Sequence, residues 1–270
     1  MAPAWKLGFS TAWDAERDFY SLRAMIPHYR DARIDCVETA ILWEWEAEHY
    51  TLHDEALKRL IGTWQDGGIE VWSVHLPAGR AIDISNPTYA QAGIDLVGGY
   101  MEACAHMGID KVVLHPSFGP IAPEERALRL QTSLDSVRKL YRSDLHIAVE
   151  TMPRTDLCNT VAETMAYLDA LQGIAGCCVD VNHCQKDKPQ DVITAVGDRL
   201  LTVHIADDDG IDERHWFPGK GVLDWHAIMQ ALRTVGYEGC FMYELWWRHY
   251  DDPANIRRNY DMLVEKYGSK

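Results

Sequence analysis

The sequence predicts one α/β domain, a single (β/α)8 TIM barrel spanning residues 1–270. Three observations predict it. Short β-prone runs alternate eight times with helical patterns. No Gly/Ser linker, low-complexity tract or change of composition divides the chain. Seven of the eight runs finish on or beside an acidic or imidazole side chain, and the C-terminal rim of a barrel is where such side chains converge. The length of 270 residues also suits a barrel, whose usual size is about 250 residues.

The candidate strands are 7–11 (LGFST), 34–39 (IDCVET), 69–75 (IEVWSVH), 111–115 (KVVLH), 145–150 (LHIAVE), 176–180 (GCCVD), 200–205 (LLTVHI) and 239–244 (GCFMYE). Most are rich in apolar residues along their length, as expected of parallel strands covered by helices outside and filled by side chains within. Helical patterns follow at 18–31, 54–66, 88–107, 123–141, 160–171, 190–197, 225–235 and 254–267. Their starts are marked by Asn86-Pro87, Ala122-Pro123, Asn159-Thr160 and Asp252-Pro253, residue types that cap or open a helix. Gly67-Gly68 and Gly108 precede the third and fourth strands, which suits a helix C-cap and a tight turn. An open doubly wound sheet is the competing architecture, but no glycine-rich phosphate loop follows the first strand.

Composition narrows the partners. With 26 basic and 41 acidic residues the net charge is −15, which repels polyanions and excludes nucleic acid as an expected partner. The cysteines (36, 104, 158, 177, 178, 184 and 240) are odd in number and scattered, so no disulfide framework is expected. The opening MAPAWKLGFS lacks the apolar core of a secretory signal. No apolar run approaches the roughly 18 residues of a membrane span. The expectation is a cytoplasmic protein with a small-molecule substrate, free to form a homo-oligomer.

The strand ends carry the chemistry. In order they present Glu38, His75, His115, Glu150, Asp180 with His183 just beyond, His204 and Glu244. Any one could be a salt-bridged structural residue. A ring of like charges, however, costs several kcal/mol to bury unless a cation neutralises it. Glu150, Asp180, His204 and Glu244 lie on the last four strands and form the core set. Three carboxylates and one imidazole suit one divalent ion, Mn2+ before Mg2+ or Co2+, with Zn2+ allowed by donor type.

The segments AVETMPR (148–154), VDVNH (179–183), VHIADDDG (203–210), RHWFPGKGVLDW (214–225) and YELWW (243–247) together resemble the xylose isomerase-like barrels. That superfamily includes D-tagatose 3-epimerase, ribulose-phosphate 3-epimerases, inosose dehydratase and endonuclease IV. The resemblance covers essentially the whole chain. It implies that Glu150, Asp180, His204 and Glu244 bind the metal, that Glu150 and Glu244 are the catalytic acid/base pair, and that His183 grips the substrate. His75, His115, Glu213 and His215 stand where endonuclease IV is expected to hold extra zinc ions, though that enzyme has aspartate at the position of Glu213. With a net charge of −15, the preferred reading is that His75, His115 and His215 bind substrate. The family's epimerases also carry an arginine soon after the strand-seven histidine. Here Asp207-Asp208-Asp209 follows and the nearest arginine is Arg214, which counts against a tagatose-like substrate.

A divalent ion beside a carbonyl and its neighbouring hydroxyl would acidify the intervening C–H and favour an enediolate. Return of the proton to the opposite face gives epimerisation, return to the adjacent carbon gives isomerisation, and loss of water gives a lyase. The expected activity is therefore a metal-dependent isomerase or epimerase of a sugar, cyclic polyol or related keto compound. A dehydratase or an endonuclease IV-like multinuclear phosphodiesterase is the alternative. Rim aromatics at Trp43, Trp45, Trp216, Trp246 and Trp247 would stack on a sugar, and Arg80, Arg154, Arg214, Lys220 and Arg248 are the cations near the rim.

Overall fold

Eight parallel strands close into a barrel in sequence order, β1 to β8, in a computed structural model that describes residues 5–11, 19–40, 48–246 and 252–268. The elements are β1 (Lys6–Ser10), α1 (Phe19–Asp31), β2 (Cys36–Ala40), α2 (Asp54–Asp66), β3 (Glu70–His75), α3 (Ala90–His106), β4 (Lys111–Leu114) and α4 (Arg126–Leu140). They continue as β5 (His146–Glu150), α5 (Val161–Leu171), β6 (Ala175–Asp180), α6 (Pro189–Val196), β7 (Leu200–Ile205), α7 (Trp225–Thr234), β8 (Cys240–Tyr243) and α8 (Pro253–Tyr267). The fold is the (β/α)8 barrel read from the sequence. Trp43, Trp45, Trp247 and Arg248, proposed above as rim residues, lie outside the described residues.

The ends differ in detail. β4 stops at Leu114 and β8 at Tyr243, so His115 and Glu244 stand one residue past their strands. β2 runs on to Ala40, which pairs with His75 of β3. Among the described residues, single turns of 3-10 helix at Arg80–Ile82, Val181–His183 and Gly197–Arg199 were not predicted. Two of the predicted starts, Asn86-Pro87 and Ala122-Pro123, lie in turns ahead of α3 and α4, whose N-caps Tyr89 and Glu125 make no side-chain cap bond. Other starts are capped by their side chains. Thr160 accepts from Glu163 N at the head of α5, Asp224 from Ala227 N at α7, and Asp252 from Ala254 N at α8.

Alternation along each strand separates two cores. Leu7, Phe9, Val37, Val149, Val179 and Val203 point outward and pack under the helices in one large cluster. The inward positions form two small clusters of their own, Cys36, Cys240 and Met242 against Trp72, and Val113, Ala148 and Cys178 against Leu201. Trp72 plugs the floor: its indole donates to Thr202 Oγ1 at 3.2 Å, and Lys111 Nζ lies 4.3 Å from the ring centre.

Cys36 and Cys240 flank β1 and bring their sulfurs together across Gly8. Scattered spacing did not announce this pairing. The structure pairs them as a disulfide, against the expectation of none, with Cα atoms 7.5 Å apart, wider than the usual 4.4–6.8 Å. Gly8 permits it, because a Cβ there would land on Cys240 Sγ and within 2.9 Å of the Met242 thioether. Among the described residues no helix is long and apolar enough to cross a membrane.

Candidate active site

Inward-facing strand ends bring their polar side chains to one buried centre. Glu150 Oε1, from β5, lies 3.2 Å from His204 Nδ1, and Glu244 Oε2, one residue past β8, reaches the same nitrogen at 3.2 Å. Asp180, the register partner of His204, brings Oδ2 to 4.0 Å from it. All four side chains are buried, and their donor atoms lie within 4.8 Å of one another. The four residues read as the core set thus meet at one point.

The chemistry of this donor set fits a divalent cation. Asp180 Oδ2 is buried at the centre and accepts no hydrogen bond. His183 Nδ1 is 3.3 Å away but is bonded to Thr151 O at 2.9 Å. Burial pushes the Asp180 carboxyl up to about 7, with Glu244 and Glu150 adding to the effect and His183 and His215 opposing it. Burial also works against ionisation of Glu150 and Glu244. For Glu150, His204 and His115 outweigh it and hold the carboxyl well below the usual range; for Glu244, His204 and His215 bring it to about 2. The neighbouring imidazoles favour the ionised carboxylates that burial disfavours, a balance that a bound cation would also supply.

Other predicted residues surround this centre. His75 Nε2 and His115 Nε2 both lie 3.1 Å from Glu150 Oε2, with their rings edge to face. His183 ends the 3-10 turn after β6, where the Asp180 side chain accepts from Asn182 N at 2.7 Å. Its Nε2 is 2.9 Å from Glu213 Oε2, and Arg154 holds Glu213 in turn at 2.8 Å. His215 adopts a left-handed φ of 46°, a conformation that needs outside support. Asn182 Oδ1 supplies it by accepting from the backbone of Arg214 and His215, while His215 Nδ1 meets Glu244 O at 3.0 Å. Trp246 stacks on the His215 ring at 5.5 Å.

Two predicted contacts take a different form. Arg214 turns to the surface, where Nε donates to Asp209 Oδ2 at 2.7 Å, so its guanidinium is not brought to the buried centre. Trp216 is half-buried, and its backbone pairs with Asp207 in a short antiparallel bridge. Asp207 organises this loop: its carboxylate accepts from Gly219 N, Leu223 N and Trp225 Nε1 at 2.7–3.1 Å. Gly221 lies so close that a Cβ would strike Asp208 O and the Asp207 carboxylate. Sequence reasoning had read Asp207 only as a departure from the expected arginine. It also left Glu38 without a role and did not single out Asn182.

A model of the xylose isomerase-like TIM barrel matches residues 29–266. The chain belongs to that family. Among its relatives, 3-dehydro-D-guloside 4-epimerase of Escherichia coli is 27% identical over 188 residues, which cover 62% of this chain and 68% of the relative. The uncharacterized protein y4fM of Sinorhizobium fredii is 29% identical over 157 residues, 54% of this chain and only half of the relative's length. Among solved structures, a D-tagatose 3-epimerase-like protein superposes with a TM-score of 0.77 at 18% identity, covering 97% of this chain and 98% of that one. The 3-keto-D-glucoside 4-epimerase of E. coli gives 0.75 at 20% identity, covering 97% and 99%. Identities this low establish the shared barrel alone.

Proposed function

We propose that this xylose isomerase-like barrel is a divalent-metal-dependent epimerase or isomerase of a sugar, cyclic polyol or related keto compound. One observation carries the proposal: Glu150 and Glu244 approach a single imidazole nitrogen of His204 from separate strands, each at 3.2 Å, with the open Asp180 oxygen beside them. Glu150, Asp180, His204 and Glu244 would hold one ion, Mn2+ by preference and Mg2+, Co2+ or Zn2+ by donor type. When bound, it would polarise a substrate carbonyl and lower the pKa of the adjoining C–H.

The protein's own residues do the rest. One of Glu150 and Glu244 takes the C–H proton as a carboxylate, and the released electron pair passes to the carbonyl oxygen. The other, entering as the acid, delivers a proton to the opposite face, so the configuration inverts and the two glutamates exchange protonation states. His183, held by Glu213 and Thr151 O, would bind a substrate hydroxyl, and His75, His115 and His215 line the same chamber. The family supports a keto-sugar substrate, since relatives bear the names of guloside, psicose and L-ribulose-5-phosphate epimerases.

A second reading has its own observation. His75, His115 and Glu150 form one further donor cluster, and Asp180, His183 and His215 another, as a multinuclear phosphodiesterase would need. The −15 charge opposes a polyanionic substrate. Ion counting on Mn2+-loaded protein, with carbon NMR of ketoses, keto-glycosides and inososes after incubation, separates the two. One ion per chain with an epimerised or isomerised product is expected. Three ions per chain with cleavage of abasic DNA would replace the proposal.

A further inference from the structure

Glu38 is the strand-end acid for which the proposed chemistry has no use, yet it is fully buried. Its setting is built. Ser10 Oγ donates to Oε1 at 3.0 Å, and Ser73 Oγ, on its register partner in β3, donates to Oε2 at 2.7 Å. The register between β2 and β3 shifts between Val37 and Glu38, a local irregularity of the kind that re-aims a side chain. It directs Glu38 across the barrel, where Oε1 comes to 3.0 Å from His204 Nε2 on β7. The approach lies off the ideal hydrogen-bond axis, and Nε2 makes no well-formed hydrogen bond to any described residue; the Cys178 side chain also interacts with the His204 ring.

Two serine hydroxyls each donate to one oxygen of Glu38, leaving acceptor sites open and its charge unbalanced. An uncompensated buried carboxylate costs several kcal/mol, which a neutral glutamine in the same pocket would avoid. The further polar group that Glu38 faces is His204 Nε2, which can offer it an N–H. An imidazole protonated at one nitrogen presents a lone pair at the other, and Nδ1 is the nitrogen that faces Glu150, Glu244 and Asp180. We propose that Glu38 is a positioning residue: it holds the His204 ring as the Nε2–H tautomer, so that Nδ1 is presented as a ligand to the divalent ion. The assignment rests on the metal reading above and adds a residue to it. Carboxylate–histidine–metal arrangements of this kind raise the basicity of the ligand and fix its orientation.

Glu38 could instead be a ligand itself, because its donors lie within 4.8 Å of those of His75, His204 and Glu244. Against this, both of its oxygens already accept hydrogen bonds from serines, whereas the Asp180 oxygen accepts none. The two roles give different results.

The test is Mn2+ affinity and stoichiometry in the full chain, read from the EPR signal of free Mn2+, for wild type, Glu38→Gln and Glu38→Leu. Melting temperatures of the metal-free proteins serve as the stability control. Gln keeps an acceptor for Nε2–H but lacks the charge, and Leu offers neither. The proposal expects one ion per chain throughout, with Leu binding roughly 10–100-fold more weakly and Gln falling between Leu and wild type. It expects the Gln loss, roughly threefold or more, at an unchanged metal-free melting temperature. If Leu does not fold, the Gln result alone decides. Affinities within twofold of wild type, with only stability altered, would reduce Glu38 to a packing residue. Two ions in wild type and one in Glu38→Gln would make it a ligand. A wild type that retains no Mn2+ would remove the metal reading itself, and this proposal with it.

Discussion

On strand after strand, the side chain two residues before a rim acid or imidazole is small or apolar. Cys36 precedes Glu38, Val113 precedes His115, Ala148 precedes Glu150, Cys178 precedes Asp180, and Met242 precedes Glu244. The lower layer packs sulfur, methyl and indole groups without a formal charge. The upper layer, one pleat higher, gathers four carboxylates with His75, His115, His183, His204 and His215. The contrast shows how the barrel separates stability from chemistry over about 7 Å of strand. Floor residues gain free energy by leaving water, whereas rim residues lose it and are held by one another. Perturbing the rim should change turnover far more than stability, and perturbing the floor should do the reverse.

The sharpest test of that separation is at the paired glutamates. Glu150→Gln and Glu244→Gln each keep an oxygen in place but cannot exchange a proton. Turnover should fall by about 10² to 10⁴ while Mn2+ remains bound at saturating concentration. Wild-type turnover in either variant would break the comparison on the rim side. His183→Ala should have the next largest effect. A lost hydrogen bond to substrate costs on the order of tenfold to a hundredfold in activity, and the ion should stay. Loss of the ion in this variant would move His183 into the metal's own ligand set. The floor provides the smallest effect on activity. Gly8→Ala would press on Cys240 and Met242 and should cost about 1–3 kcal/mol in urea unfolding. Mn2+ affinity should stay within twofold; a larger loss would show that the layers are coupled.

The same two layers explain what could be read in the chain beforehand. Apolar runs such as KVVL and HIAVE announce a parallel strand directly, because both faces of the sheet are covered. The polar residue that finishes each run then stands out against its neighbours. Interactions across the barrel leave no such trace. Glu38 and His204 are separated by most of the sequence, and nothing local says that one carboxylate backs the imidazole while another faces it. Arg214 is a related case: its place after the strand-seven histidine marks it as a rim cation, but nothing local says that Asp209, five residues earlier, accepts from its guanidinium. Asp207 was hidden by its partners, since Gly219, Leu223 and Trp225 meet it only once the loop has folded.

The central claim is that Glu150 and Glu244 move a proton at a carbon of the substrate. It is tested most directly by turnover in D2O with a substrate identified from the panel above, followed by NMR of the recovered substrate and product. The account predicts deuterium at the epimerised carbon, because a carboxylic acid proton exchanges with solvent between turnovers. Product free of deuterium, with a hydrogen label carried intact to the neighbouring carbon, would mean a hydride shift and would contradict the roles given to both glutamates.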